Sequence, residues 1–189
     1  MLSKAQEIFQ NRSDQKIIRM VRDGHKELFE ILLLRYQRKL LNFLTRFTGS
    51  LEDAKDLTQE AFLNAYFNLD KFDTKKNFSP WLFTIGHHLA VNHHHKSGRL
   101  RIIDIEKAPE FVDNSLDILD KALKNEHLDM VRANLASIDL KYRTVLELRY
   151  LEDKSYEEIS RILNIPINTV KSRLFRAKNV LAEKIGTPG

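Results

Sequence analysis

Apolar residues recur at three- and four-residue steps through almost the whole chain, the spacing that gathers them on one face of an α-helix. No stretch alternates long enough to suggest a half-buried strand. The repeat predicts helices over residues 15–21, 26–47, 51–69 and 80–96, and again over 117–135, 139–150, 155–163 and 167–183. A polar loop at 70–79 precedes the fourth helix, and Ser97-Gly98 ends the first group. Over residues 100–116 the periodicity fades and Pro109 interrupts it, so this stretch reads as a linker. The pattern predicts an all-α chain of two small helical domains, 1–97 and 119–189, joined by a flexible linker at 98–118.

Three helices say more than their own existence. Ser155-Tyr156-Glu157-Glu158 is a capping box, with a Ser hydroxyl for the backbone N–H three residues on and Glu158 reaching back. Ile159, Ile162 and Leu163 point the short helix inward, Asn164 suits a left-handed C-terminal position, and Pro166 suits the first turn of the next helix. A short helix, a tight turn and a longer basic helix form the helix-turn-helix pattern. At about 100° per residue, Ile167, Val170, Leu174, Ala177 and Leu181 share the core stripe of the long helix. Opposite lie Asn168, Ser172, Phe175, Arg176 and Asn179, with Thr169 at the edge and Lys171, Arg173 and Lys178 flanking. Arg suits the acceptor edge of guanine, Asn that of adenine, and a phenyl ring the thymine methyl.

The helix over 51–69 turns Leu51, Ala54, Thr58, Ala61, Phe62, Ala65 and Leu69 inward. Asp53, Asp56, Glu60, Leu63 and Phe67 follow another stripe. Apolar groups set among carboxylates fit a docking surface for a basic protein helix, and fit equally well a contact with neighbouring helices of the same bundle.

Composition narrows the class. Hydrophobic residues make up 42% of 189 and mean hydropathy is −0.40, as in a globular chain. No apolar run approaches the roughly 18 residues of a membrane span, and the N-terminus lacks a secretory h-region, so the expectation is a cytoplasmic protein without direct membrane insertion. There is no cysteine, hence no disulfide, thiol nucleophile or cysteine-bound zinc. Net charge is +5, but distribution matters more: acids dominate 101–129, whereas 75–101 and 171–178 are almost purely basic. Two cationic patches suggest two contacts with a polyanion.

The C-terminal residues then carry a resemblance. Residues 139–150, Ser155-Tyr156-Glu157-Glu158-Ile159-Ser160, and Thr169-Val170-Lys171-Ser172-Arg173-Leu174-Phe175-Arg176-Ala177 closely resemble the last domain of bacterial sigma factors of the extracytoplasmic-function group. In that family the domain binds the upstream (−35) promoter element. The resemblance implies DNA contacts from Asn168, Thr169, Lys171, Ser172, Arg173, Phe175, Arg176 and Lys178. In the first half, Glu52-Asp53-Ala54-Lys55-Asp56-Leu57-Thr58-Gln59-Glu60-Ala61-Phe62-Leu63 resembles the motif by which these factors dock on the β′ clamp helices of RNA polymerase. It favours the docking alternative and implies that Asp53, Asp56, Gln59, Glu60, Leu63 and Phe67 bind the core enzyme.

Residues 72–92 resemble the family's melting and start-proximal (−10) region, implying DNA contacts from Lys75, Lys76, Asn77, Phe78, Ser79, His88 and Asn92. The chemistry suits that role: lysines for phosphates, polar groups in a loop for an extruded base, and a stripe of Trp81, Thr84, His88, Asn92 and His95 leading away. Phe78, Trp81 and Ile85 also fit an ordinary core, which is the better fit for Trp81 and Ile85. Two departures bear on base preference: His88 stands where relatives often carry Asn, and His93-His94-His95 replaces a stretch usually richer in Arg. The expected partners are core RNA polymerase (β′ clamp helices and β flap), promoter DNA and an anti-sigma protein.

Other classes fit less well. A metal-dependent hydrolase needs ligands three or four residues apart on a helix, and no pair among His87, His88, His93, His94 and His95 has that spacing. Phosphate loops and nucleophile elbows are missing, so no catalytic residue, metal or cofactor is expected. A stand-alone helix-turn-helix regulator or response-regulator-like output protein explains the last quarter but leaves the acidic helix without a role.

Overall fold

The computed structural model describes residues 12–96 and 138–185, and the chain divides into two compact units at residues 101/102. The expected linker at 98–118 and helix at 117–135 lie outside the described residues. Every regular element among the described residues is helical.

The first unit holds α1 (Asp14–Arg22), a 3₁₀ turn (Lys26–Leu28), α2 (Phe29–Thr48), α3 (Leu51–Phe67), a second 3₁₀ turn (Leu69–Lys71) and α4 (Phe78–Lys96). Ser13 caps α1 by accepting from the Lys16 N–H, and Ile17, Ile18 and Val21 bury one face of it. Gly49, at φ 73°, ends α2 in the left-handed region, and Ser50 opens α3 by accepting from the Asp53 N–H at 3.2 Å. These two residues suffice to reverse the chain, so α2 packs along α3 and both pack on α4. α4 starts two residues ahead of the expected boundary, with Pro80 third in the helix, where a missing N–H costs no hydrogen bond.

The core between these helices is largely aromatic. Phe43 meets Phe47 and Phe83 at ring-centroid distances of 6.1 and 5.3 Å. A Cβ on Gly86 would stand 2.8 Å from Leu40 Cδ1, so α2 and α4 approach where only glycine leaves Leu40 in place. At the edge Arg35 bonds Asp14 at 2.5 Å and the Tyr36 hydroxyl donates to the same carboxylate, tying α1 to α2. Burial, with that carboxylate alongside, pushes the Tyr36 phenol well above its ordinary range. One inward assignment is corrected: Leu51 is 52% exposed. It stands in the first turn of α3, beyond the packed stretch, and Leu57 takes an inward place instead.

The second unit holds α5 (Leu140–Leu146), a π-helical turn (Glu147–Leu151), α6 (Tyr156–Leu163) and α7 (Ile167–Ile185). The single helix expected over 139–150 widens at its end. The Glu152 N–H reaches the Glu147 carbonyl at 3.0 Å, and Asp153 turns the chain at φ 50°. Arg149 braces the turn by donating to the Lys154 carbonyl at 3.0 Å, with its guanidinium 5.4 Å from the Tyr156 ring centroid. The capping box forms in both directions, at 3.2 and 2.9 Å, and Asn164 takes the left-handed position at φ 52°. Val145, Leu148, Ile159, Ile162, Val170 and Leu174 make the core. Ile167 is corrected: it is 38% exposed, because the first residue of α7 lies at the helix end rather than over the neighbours that bury Val170.

Candidate nucleic-acid and protein interfaces

α3 presents the acidic stripe to solvent. Asp56, Gln59 and Glu60 are exposed, and one and two turns further along the helix Leu63 is 49% and Phe67 74% exposed. Leu63 is half covered, at the wall of the groove between α2 and α3, and Phe67 meets only the edge of the bundle, beside the Tyr66 ring at 5.8 Å. Asp53 differs: it is half-buried, and its Oδ2 lies 3.3 Å from His93 Nε2 on α4. Beside the stripe runs a groove of about 530 Å³ between α2 and α3, walled by Phe29, Leu33 and Leu41 on one side and Phe62, Leu63 and Tyr66 on the other. Exposed hydrophobic side chains next to an apolar groove and rimmed by carboxylates are the surface chemistry of a protein contact.

The loop before α4 exposes Lys75, Lys76 and Asn77, while Ser79 is half-buried in the first turn of the helix. Its bend is local: Asp73 accepts from the Lys75 N–H through its side chain at 3.0 Å and from the Lys76 N–H through its carbonyl at 2.9 Å. Phe78 is 1% exposed, packed against Tyr36, Phe72 and Trp81, so it is a core ring beneath the loop. Trp81 and Ile85, expected as core, are half-buried instead. With Asn64, Asn68, Lys71 and the exposed His88 they line a shallow hollow of about 520 Å³. Lys71 donates to Asn68 Oδ1 at 3.1 Å, and Asn68 Nδ2 to the Asn64 carbonyl at 2.9 Å, so a cation and two amide side chains share the lining with Trp81. Asn92 and His95 continue the exposed face of α4.

The histidines divide between two faces. His87 and His94 are buried on either side of Phe47, at centroid distances of 5.3 and 5.4 Å, and His94 Nε2 lies 3.2 Å from the Phe47 carbonyl. Burial first, and the neighbouring His88 second, push His87 down to about 4. The burial of His87 and His94 has a sequence signal: Phe83, His87, Ala90 and His94 follow one helical stripe. Among the described residues no three His, Asp or Glu side chains gather as metal ligands.

On α7, Asn168, Lys171 and Asn179 are exposed and Phe175 and Arg176 half-buried. Thr169, Ser172, Arg173 and Lys178 are 5–6% exposed. Ser172 departs from the outward place its angle predicts, and its hydroxyl turns back to the Thr169 carbonyl at 3.0 Å. Lys178 places its ammonium 5.4 Å from the Tyr150 ring centroid, against the π turn. The accessible part of this face of α7 therefore comprises Asn168, Lys171, Phe175, Arg176 and Asn179.

Comparisons with known proteins agree with this two-part organisation. Residues 32–100 match the family model for sigma-70 region 2, and residues 128–181 that for sigma-70 region 4. The ECF RNA polymerase sigma factor SigW of Bacillus subtilis is 31% identical over 179 residues, spanning 90% of this chain and 96% of that protein. The RNA polymerase sigma-H factor of Pseudomonas aeruginosa is 34% identical, spanning 89% and 91%. Among solved structures, the sigma factor RpoE in complex with the anti-sigma factor NepR from Bartonella quintana superposes with a TM-score of 0.63 at 26% identity, covering 85% of this chain and 98% of that one.

Proposed function

The chain belongs to the extracytoplasmic-function group of sigma-70 family sigma factors, and from that premise we propose that it carries core RNA polymerase to promoters and helps open them through two separate DNA contacts. Residues 1–97 act as the core-docking and start-proximal domain and residues 119–189 as the upstream-reading domain. The observation that carries this reading is the solvent-facing stripe of α3, where the exposed Asp56, Gln59 and Glu60 are followed by exposed Leu63 and Phe67. A free-standing operator binder has no use for it; a polymerase subunit needs such a surface for the β′ clamp helices.

The −10 element is taken up as a melted strand by Lys75, Lys76, Asn77 and Ser79, with His88 and Asn92 along α4 and Phe78 supporting the loop from below. The −35 element is read as duplex by α7, where Asn168, Phe175 and Arg176 supply base contacts and Lys171 a phosphate contact. The protein performs no covalent chemistry: binding free energy positions the polymerase and favours strand opening. It works in the cytoplasm, where an anti-sigma protein covers its surfaces, in line with the complex in which its Bartonella relative was solved. The test is in vitro transcription with purified core polymerase on a genomic promoter pool. Discrete start sites sharing two upstream elements are expected; no start above the core-alone background would overturn the reading.

A further inference from the structure

α1 lies ahead of the segment that matches sigma-70 region 2, which begins at residue 32. Two of its side chains nevertheless reach the segment that leads into the strand-capture loop. Arg22 donates through Nε to the Leu69 carbonyl at 3.1 Å, and through Nη2 to the carbonyls of Leu69 and Phe72. Gln15 Nε2 donates to the Lys76 carbonyl at 3.4 Å. The two are seven residues apart on one helix, about two turns or roughly 10 Å along its axis. They therefore hold the backbone of the 72–76 segment at both ends.

What lies at those ends matters. Lys71 and Trp81 line the hollow, and Phe72 packs on Trp81 at 4.9 Å, so the carbonyls that Arg22 grips flank Lys71 on one wall and belong in part to the residue that backs Trp81 on the other. A loop that must order itself on binding loses affinity to the entropy of ordering, whereas a loop held in place beforehand does not. A guanidinium fork spanning two carbonyls is a stiff way to hold a turn, and lysine cannot reproduce it. We propose that Arg22, with Gln15 as its weaker counterpart, is a positioning residue that pre-orders the loop and the Lys71–Trp81 wall for single-stranded DNA.

This rests on the reading of residues 72–79 as the capture loop. The test measures, for the holoenzyme assembled with core polymerase, the affinity for a fluorescein-labelled single-stranded DNA library of random sequence, alongside affinity for core. Three variants are compared with the native chain: Arg22→Gln, Arg22→Lys and the loop variant Lys75→Ala/Lys76→Ala. Arg22→Gln is expected to weaken strand binding about tenfold, which corresponds to about 1.4 kcal/mol, with core affinity unchanged. Arg22→Lys should recover only part of the loss. Amide hydrogen exchange should accelerate at 69–77 and stay unchanged in α2 and α3. Strand binding within twofold of native in Arg22→Gln, while the loop variant is impaired, would overturn the positioning role and leave the loop assignment standing. Equal loss of core affinity and strand binding would make Arg22 a general fold residue and overturn it as well. An unimpaired loop variant would instead remove the capture reading, and the positioning role with it.

Discussion

At the scale of single residues, helical angle indicates the direction of a side chain but not what will cover it. Arg173 and Arg176 are three residues apart on α7, yet Arg173 is 5% exposed and Arg176 half-buried. Lys178 was legible as a flanking cation, but its place over Tyr150 depends on a turn the sequence does not announce. Arg176 is thus the more accessible arginine of α7, and the base-reading role proposed for it can be tested. Arg176→Ala should cost about 1–3 kcal/mol at one upstream position, measured by duplex binding across a panel of single-base changes; an even loss over the whole panel would identify a phosphate contact. His87 supports a different prediction. Its folded value of about 4 lies below the ordinary 6.5, so the unfolded chain takes up a proton first as the medium is acidified. Stability is at its full value above pH 6.5, declines from there toward pH 4, and by then has lost on the order of 3 kcal/mol from this group. Its Nδ1 has no hydrogen-bond partner among the described residues, so His87→Leu removes the proton site without stranding another group. Thermal melts of the two proteins across that pH range should diverge, with the variant losing less; parallel curves would refute the assignment.

At the scale of elements, most boundaries were legible because caps and periodicity agree. Ser155 with Glu158, and Asn164, act where their chemistry predicts, and the structure adds Ser50 as the cap of α3. The misses have more than one cause. Leu51 and Ile167 continue an apolar stripe but sit in the first turns of α3 and α7, where no neighbouring element covers them. The π turn at Glu147–Leu151 was not anticipated from the sequence, and in the structure Arg149 braces it against Lys154 and Tyr156. The acidic stripe was legible as a pattern, and its exposure, with Leu63 at 49% and Phe67 at 74%, depends on packing that the sequence does not show. Reversing charge at Asp56 and Glu60 should therefore weaken binding to core polymerase while leaving the fold intact, because both are exposed and lie outside the core. Core affinity by competition, read beside the melting temperature, checks this. Unchanged affinity would exclude the stripe, and a large fall in melting temperature would assign the carboxylates to the fold. Asp53 does not belong in that test, since its contact with His93 couples it to α4.

At the scale of the whole molecule, the two basic surfaces are expected to answer salt differently. A protein that neutralises phosphates releases counterions, and the slope of log affinity against log salt counts the contacts, at about 0.9 per phosphate on duplex and about 0.7 on single strands. The loop exposes Lys75 and Lys76, and α7 exposes Lys171. If the first unit holds a melted strand, Lys75→Ala/Lys76→Ala should lower the slope for single-stranded DNA by about 1.4 and leave the slope for upstream duplex as it was. Lys171→Ala should do the reverse, lowering the duplex slope by about 0.9. Asn77→Ala carries no charge change and should alter neither slope, while reducing permanganate reactivity of the opened promoter more than it reduces duplex binding. Titrations of the holoenzyme at several salt concentrations on both probes decide the matter. Two independent slopes mean that one chain divides DNA recognition between a strand-holding unit and a duplex-reading unit. A shared slope, moved equally by lysines from either unit, would mean that both surfaces meet the same form of DNA, and the division of labour proposed for them would fail.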